Sequence, residues 1–388
     1  MFEETGDHWM KRVVAAMLGL RRTRQLNTPK TGFDMVIWSR VPEGVGFGER
    51  AAFGVAVALA FKASTGLAKK RVDGVQVARA VVQGALEVLG EEIPMTDALT
   101  SALGRRDCAL SVEHGIDLEM QWIPVPPQCS FAAVDLGYDL GRGVEARDKV
   151  RLTTDMALAH LNSALRKEKK QLFGSWGQVL PTEFEEGLRD HVPASQSGSD
   201  WLTLFKRRKE FAGPAHLVDP EMSYRMRANS EHLCRESGRV RRLVSNINEY
   251  SRTLRETFLG EGGRCLLSSH RSLQEKCGIS HEVADEFMSL FQKGGRQEGL
   301  FGARLTMAGT SSVLVALVHQ SARPQLRDLV TDFTSKHPAC KKGQVLIGTQ
   351  DGGVLRGWWE GVLEPAGQPE EAVSAEAAGV PLARSRKK

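Results

Sequence analysis

The stretch "PEGVGFGERAAF", Pro42 to Phe53, constrains the chain more than any other. Three glycines at alternate positions, Gly44, Gly46 and Gly48, let a backbone turn sharply and bring its N–H groups close to an anion. The apolar run "AAFGVAVALAF" follows at once. It reads as a helix whose positive N-terminal end meets the loop, the arrangement that binds phosphate. One residue opposes that reading: Glu49, itself an anion, stands at the joint. Arg50, beside it, can offset the charge at a phosphate or pair with Glu49.

Hydrophobic periodicity organises the rest. Residues 8–23 carry Trp9, Val13, Val14, Met17 and Leu20 at helical spacing. "GFDMVIWSRV" alternates Phe33, Met35 and Ile37 against Asp34, Val36 and Trp38, which predicts a strand. A helix is expected over residues 73–90, capped by Asp73 and stopped by Gly90. Another is expected in "TDALTSALG", opened by its Thr/Asp pair. "CALSVEH", "DLEMQWIPV" and "SFAAVDLGY" read as three successive strands, and residues 147–172 as a charged helix.

Further on, "PASQSGSD" is a turn-rich loop. One long amphipathic helix is expected from Pro220 to about Leu259. Two more follow in "CLLSSHRSLQEKCG" and "SHEVADEFMSLFQK", the second N-capped by Ser280. "GARLTMAGTSSVLVALV" reads as strand, loop and strand, "RPQLRDLVTDFTSK" as a helix, and "GQVLIGTQ" and "GVLRGWW" as closing strands. Helices segregated from a small antiparallel sheet make an α+β pattern. From Glu364 onward Pro, Ala, Glu and Gly dominate, the composition of a disordered tail.

Bulk properties narrow the function. The chain has 388 residues, 41% hydrophobic and 26% charged, with net charge +5 and a pI of about 8.9. Its basic clusters are small, and aromatics make up only 6%. Both features argue against a nucleic-acid surface, which needs a denser basic stripe with stacking rings. "VVAAMLGL" is too short to span a bilayer. Six cysteines with no CxxC pair suit reduced thiols in a cytoplasmic protein better than zinc.

Taken in order, these pieces resemble the galactokinase branch of the GHMP small-molecule kinases, L-arabinokinase-like members above all. The glycine loop resembles "P-x-G-x-G-[LV]-S-S-S-A-A". "TDALTSALG" resembles the family's catalytic-aspartate helix, and "FAAVDLGY" its "D-S-G" strand. "HLVDPEMSYRMRANSEHLCRESGRVRRL" resembles the arabinokinase-like stretch leading to "E-x-x-R-V". "LLSSHRSLQEKCGIS" resembles "S-H-x-S-L", and "GARLTMAGTSSVLVALV" the C-terminal glycine loop. The resemblance runs from about Trp9 to about Trp359. It implies a two-domain fold: a truncated N-terminal domain over residues 1–160, a ferredoxin-like C-terminal domain over 161–363, and the tail 364–388.

The chemistry implied is phosphoryl transfer from ATP, with Mg²⁺, to the anomeric hydroxyl of a monosaccharide of galactose or L-arabinose type. Asp97 then falls on the catalytic position, although an acid at a helix start is also an ordinary dipole partner. Gly44, Gly46, Gly48, Glu49, Arg50, Ala51 and Gly309 fall on nucleotide-binding positions. Arg151, His270 and Asp135 fall on supporting ones. No metal ligand is named.

Three departures from the pattern favour the alternative of a catalytically inactive relative that acts as a sugar or nucleotide sensor or as a protein-interaction module. Glu49 and Arg50 replace two loop serines. "MAGTSS" keeps one glycine, Gly309, where the family has several. The sugar-binding motif "G-R-[VI]-N-L-I-G-E-H" has no counterpart before Pro42. A preceding segment or a protein partner would have to supply what that motif does and cover an open sheet edge.

Overall fold

The computed structural model describes residues 8–26, 32, 34–65, 72–114, 118–138, 143–207, 215–295, 298–306, 311–341 and 343–357. Four helices open the chain: α1 (His8–Arg22), α2 (Glu49–Ser64), α3 (Gly74–Leu89) and α4 (Met95–Leu103). Their apolar faces make one core around Leu20, Val55, Phe61, Val77, Val81 and Leu99. α3 has both expected boundaries. The Asp73 carboxylate accepts from the N–H groups of Val75 and Gln76, and Gly90 closes the helix in the left-handed region at φ 67°. α1 crosses α3 where two glycines meet. A Cβ at Gly19 would lie 2.0 Å from the Ala80 carbonyl oxygen, and one at Gly84 would lie 2.1 Å from that of Ala15.

A hairpin follows, β1 (Cys108–His114) against β2 (Leu118–Pro124), in register from Cys108 with Pro124 to His114 with Leu118. β3 (Cys129–Asp135) enters a different sheet. That sheet is antiparallel with strand order β6-β7-β3-β8, built from β6 (Leu300–Leu305), β7 (Val313–His319) and β8 (Gln344–Ile347). An inner strand of this sheet therefore comes from the first half of the chain, paired Ala132 to Ala316 and Asp135 to Val313.

Between them lie α5 (Gly143–Lys167), a short α6 (Pro181–Glu183), α7 (Gly198–Phe205), a two-residue ladder of β4 (Gln196–Ser197) with β5 (Ser223–Tyr224), α8 (Met226–Thr253), α9 (Glu256–Ser272) and α10 (Glu282–Gly294). α11 (Arg323–Lys336) packs behind β8, and α12 (Gly353–Arg356) ends the described chain. The sheet buries one face on α10 and α11 through Phe287, Phe291, Leu326 and Val330. A third core, around Trp176, Phe184 and Trp201, joins α5 to α8.

Six expectations are corrected. Residues 34–40 form no strand: Val36 is 98% exposed and Trp38 78%, and among the described residues no strand pairs with them to give the ladder their alternation needs. The helix expected from Pro220 to Leu259 begins only at Met226 and breaks at Leu254, whose φ of 55° no α-helix contains. α9 then starts two residues later, at Glu256, and runs into a π-helical turn, Leu273–Cys277, so "CLLSSHRSLQEKCG" lies inside a longer element. The N-cap of α10 is His281, which accepts from Val283 N–H, while Ser280 donates its hydroxyl to Asp285. "GVLR" is a helical turn rather than a strand, and α5 spans 143–167 rather than 147–172. Gly309 and the tail 364–388 lie outside the described residues.

Candidate active site

The glycine loop has the backbone its sequence demands. Gly44, Gly46 and Gly48 sit at φ 72°, 98° and 70°, in the left-handed region that side chains strain to enter. Gly48 is also the N-cap of α2, so the loop ends where the helix dipole begins. Ala51, one turn in, is buried in the first core.

α4 brings Asp97 to the same place. A Cβ added at Gly48 would lie 3.5 Å from Asp97 Oδ2, so the loop backbone lies against the carboxylate. Asp97 stands in the first turn of α4, and Pro94 rather than a threonine precedes that helix. The far end of α4 is fastened three ways. Trp122 Nε1–H donates to the Leu103 carbonyl at 2.8 Å, and the Arg105 guanidinium lies 4.0 Å from the Trp122 ring centre. The Gly352 N–H donates to the Gly104 carbonyl at 2.8 Å.

Electrostatics at Asp97 are set by what surrounds it. Burial is the main cause raising its pKa from 3.8 to about 6, the Glu49 carboxylate adds to the rise, and the Arg50 guanidinium opposes it. Glu49, with a side chain 15% exposed, lies 3.9 Å from Arg50. Arg50 lies 3.7 Å from Glu91, and Glu91 3.7 Å from Arg12. These separations are charge contacts rather than hydrogen bonds. The result is an alternating chain of ions, Glu49, Arg50, Glu91 and Arg12, across the mouth of α2.

The C-terminal sheet reaches the loop through Ser311. Its hydroxyl donates to the Val45 carbonyl at 2.7 Å, while its oxygen accepts the Val313 N–H at 2.8 Å. Next to it, Ser312 donates to Asp135 Oδ1 at 2.8 Å. Asp135 also accepts from the Gly137 N–H and from Gln344 Nε2. It is a fully partnered acid at the end of β3, buried, and its bonds tie β3 to β7 and β8. Sequence reading singled out neither serine, nor Glu91 and Arg12. Both serines stand in the quoted "MAGTSS", but nothing in a single sequence says that one hydroxyl meets the glycine loop and the other Asp135, rather than solvent.

The other expected residues are further from the loop. Arg151 pairs with Glu92, joining α5 to the segment before α4, with both side chains half exposed. His270 Nε2 lies 3.1 Å from Asp285, and its Nδ1 accepts the Leu305 N–H. It links α9, α10 and β6 within the protein. A cleft of about 1240 Å³ opens beside the ion chain, lined by Arg50, Glu91, Arg151, Asp155 and Tyr224 among others.

Several known proteins are similar to this chain in sequence or fold. Residues 11–105 match the family model for the GHMP kinases N terminal domain. Over 302 residues the chain is 23% identical to a galactokinase of Staphylococcus carnosus, a match covering 78% of this chain and 65% of that protein. It is 24% identical over 321 residues to a galactokinase of Roseiflexus, covering 82% and 68%. The crystal structure of Lactococcus lactis galactokinase complexed with galactose shares the fold, with a TM-score of 0.64 at 14% identity, covering 90% of this chain and 77% of that one. The chain thus has the α+β fold of that galactokinase, its residues 11–105 match the GHMP kinase N-terminal domain, and its sequence is similar to those of galactokinases. It spans 65–69% of the length of the curated relatives it matches.

Proposed function

We propose that this protein binds ATP at the glycine loop and phosphorylates a monosaccharide of galactose or L-arabinose type at its anomeric hydroxyl. The observation that carries this reading is the placement of a half-buried carboxylate, Asp97, against a loop of three left-handed glycines at a helix N-terminus. The loop fits a phosphate: its glycines leave the backbone bare and α2 supplies the positive end of a dipole. Among the described residues no group of three His, Cys, Asp or Glu is placed to hold a metal ion. Mg²⁺ would therefore come carried on the nucleotide.

ATP, when bound, supplies the phosphoryl group. The chain's part is position and charge. Asp97 holds the acceptor hydroxyl and takes its proton, and a pKa of about 6 leaves it ionised at neutral pH while keeping it a useful base. Arg50 supplies positive charge beside the phosphates. Glu49 works against it: two like charges at about 4 Å repel by ~1 kcal/mol in water and ~4 kcal/mol at a protein surface.

That opposition supports a second reading, a member that binds sugar or nucleotide without turning it over and signals to a protein partner. One assay separates the two. Incubation with Mg·ATP and galactose or L-arabinose should yield sugar phosphate, and Asp97→Asn should abolish it. ATP binding with no product from the unmodified protein would support the sensor instead. Replacing Glu49 and Arg50 together by serine should tighten ATP binding, since the pair crowds the loop. No change would place the loop outside the binding site. A cytoplasmic setting fits the six free cysteines and, among the described residues, the lack of any helix long and apolar enough to cross a membrane.

A further inference from the structure

The glycine loop is held at one point by a residue far away in sequence. Ser311 is fully buried, and its hydroxyl has a single proton, committed to the Val45 carbonyl because the other neighbour, the Val313 N–H, is itself a donor. Val45 stands between two left-handed glycines, Gly44 and Gly46. The serine's own carbonyl is also fixed: it accepts the Tyr138 hydroxyl at 2.9 Å, and the Tyr138 ring stacks on His281 at 4.2 Å. Ser312, its neighbour, is tied to Asp135 at the end of β3. The support under Ser311 thus runs into β3, β7 and the start of α10, none of which touches the loop through these bonds except at this hydroxyl.

From this geometry we infer that Ser311 is a positioning residue, a latch that holds the glycine loop down over Asp97 and so limits how much water reaches the carboxylate. The loop ends at Gly48, whose backbone lies against Asp97. Release at Val45 lets that end lift, and water then reaches the carboxylate. The charged groups facing Asp97 are Glu49 and Arg50 on α2, with Glu91 and Arg12 behind Arg50. All four remain when Ser311 is changed, so the effect comes through solvation. The latch couples the two halves of the chain: whatever shifts β7 shifts the loop. Its catalytic meaning rests on the kinase reading above, but its geometry does not.

The test reads Asp97 directly, by NMR titration of the chain with labelled aspartate, Asp97→Asn assigning the signal. The unmodified protein should titrate at about 6. Ser311→Ala should lower the midpoint by about one pH unit or more, toward the ordinary aspartate value, as burial is relieved. Ser311→Thr, which keeps the hydroxyl, should restore it. Gly44→Ala loosens the same loop from its other side by straining a φ of 72° with no atom nearby, and should lower the midpoint too. It also decides the matter if Ser311→Ala does not fold. An unchanged midpoint in a folded Ser311→Ala chain, or in Gly44→Ala, overturns the latch. Failure of the unmodified protein to bind Mg·ATP would count against the kinase reading alone, because the titration needs no nucleotide.

Discussion

Asp97 carries the most information of any single residue. Its folded pKa of about 6 stands above the ordinary 3.8, so the fold favours the protonated acid. Stability from this source is full below the unfolded value near 4 and is lost as pH rises through 6. Asp97→Asn removes the loss. It should therefore raise the melting temperature at pH 8 relative to the unmodified protein, by an amount worth about 3 kcal/mol, and the gain should vanish near pH 4. Thermal melts at the two pH values check both size and sign. Activity has the opposite dependence: if Asp97 is the base, turnover should fall about tenfold per pH unit below 6. Glu49→Gln should move that midpoint down, since the Glu49 carboxylate is one of the groups holding it up. A rate profile unmoved by Glu49→Gln would mean the two acids are not coupled.

Among the elements, the α1–α3 crossing is the most exacting. Gly19 and Gly84 let the helices approach until a methyl on either would overlap a carbonyl of the other. Gly19→Ala must push them apart, opening the core under α2, and should cost about 1–3 kcal/mol or more in chemical denaturation. Gly187→Ala, where nothing lies within 4 Å and φ is ordinary, should cost little. Local signals made much of this layer legible. Asp73 and Gly90 declare the ends of α3, the three glycines declare the loop, and the alternation in Cys108–Pro124 gives the hairpin. The same alternation misled at residues 34–40, because a strand needs a neighbour and period two does not supply one. Leu254 shows the converse. An ordinary helix-forming leucine takes a left-handed φ because α8 and α9 must turn to pack on one another, a tertiary demand that no local pattern records. Within the site, the loop and Asp97 could be read from glycine spacing and family resemblance. The ion chain through Glu91 and Arg12 and the hydroxyl of Ser311 could not, since each depends on residues brought together from distant parts of the chain.

At the scale of the whole molecule, the candidate site is a seam. The loop and α2 come from the first helical layer, Asp97 from α4, and the fastening from the sheet that β3 shares with β6, β7 and β8. The last described residues close the seam from behind. The Asp351 carboxylate accepts the Arg106 N–H at 2.9 Å, and Thr349 Oγ1 accepts that of Asp107. Removing the chain from Thr349 onward should loosen α4 and with it Asp97. Amide exchange in Leu99–Leu103 should then speed up while that of β7 stays slow. Equal exchange in the full and shortened chains would show that α4 stands without this support.

Everything proposed for function turns on whether the glycine loop still takes a nucleotide with Glu49 at its edge. The most direct measurement is calorimetric titration of the purified chain with Mg·ATP, alone and with galactose or L-arabinose present. Binding in the micromolar to millimolar range, tightened when Glu49 and Arg50 are both replaced by serine, is the expected result. No heat under any of these conditions, in either protein, would contradict it and leave the loop as a fold element without a ligand.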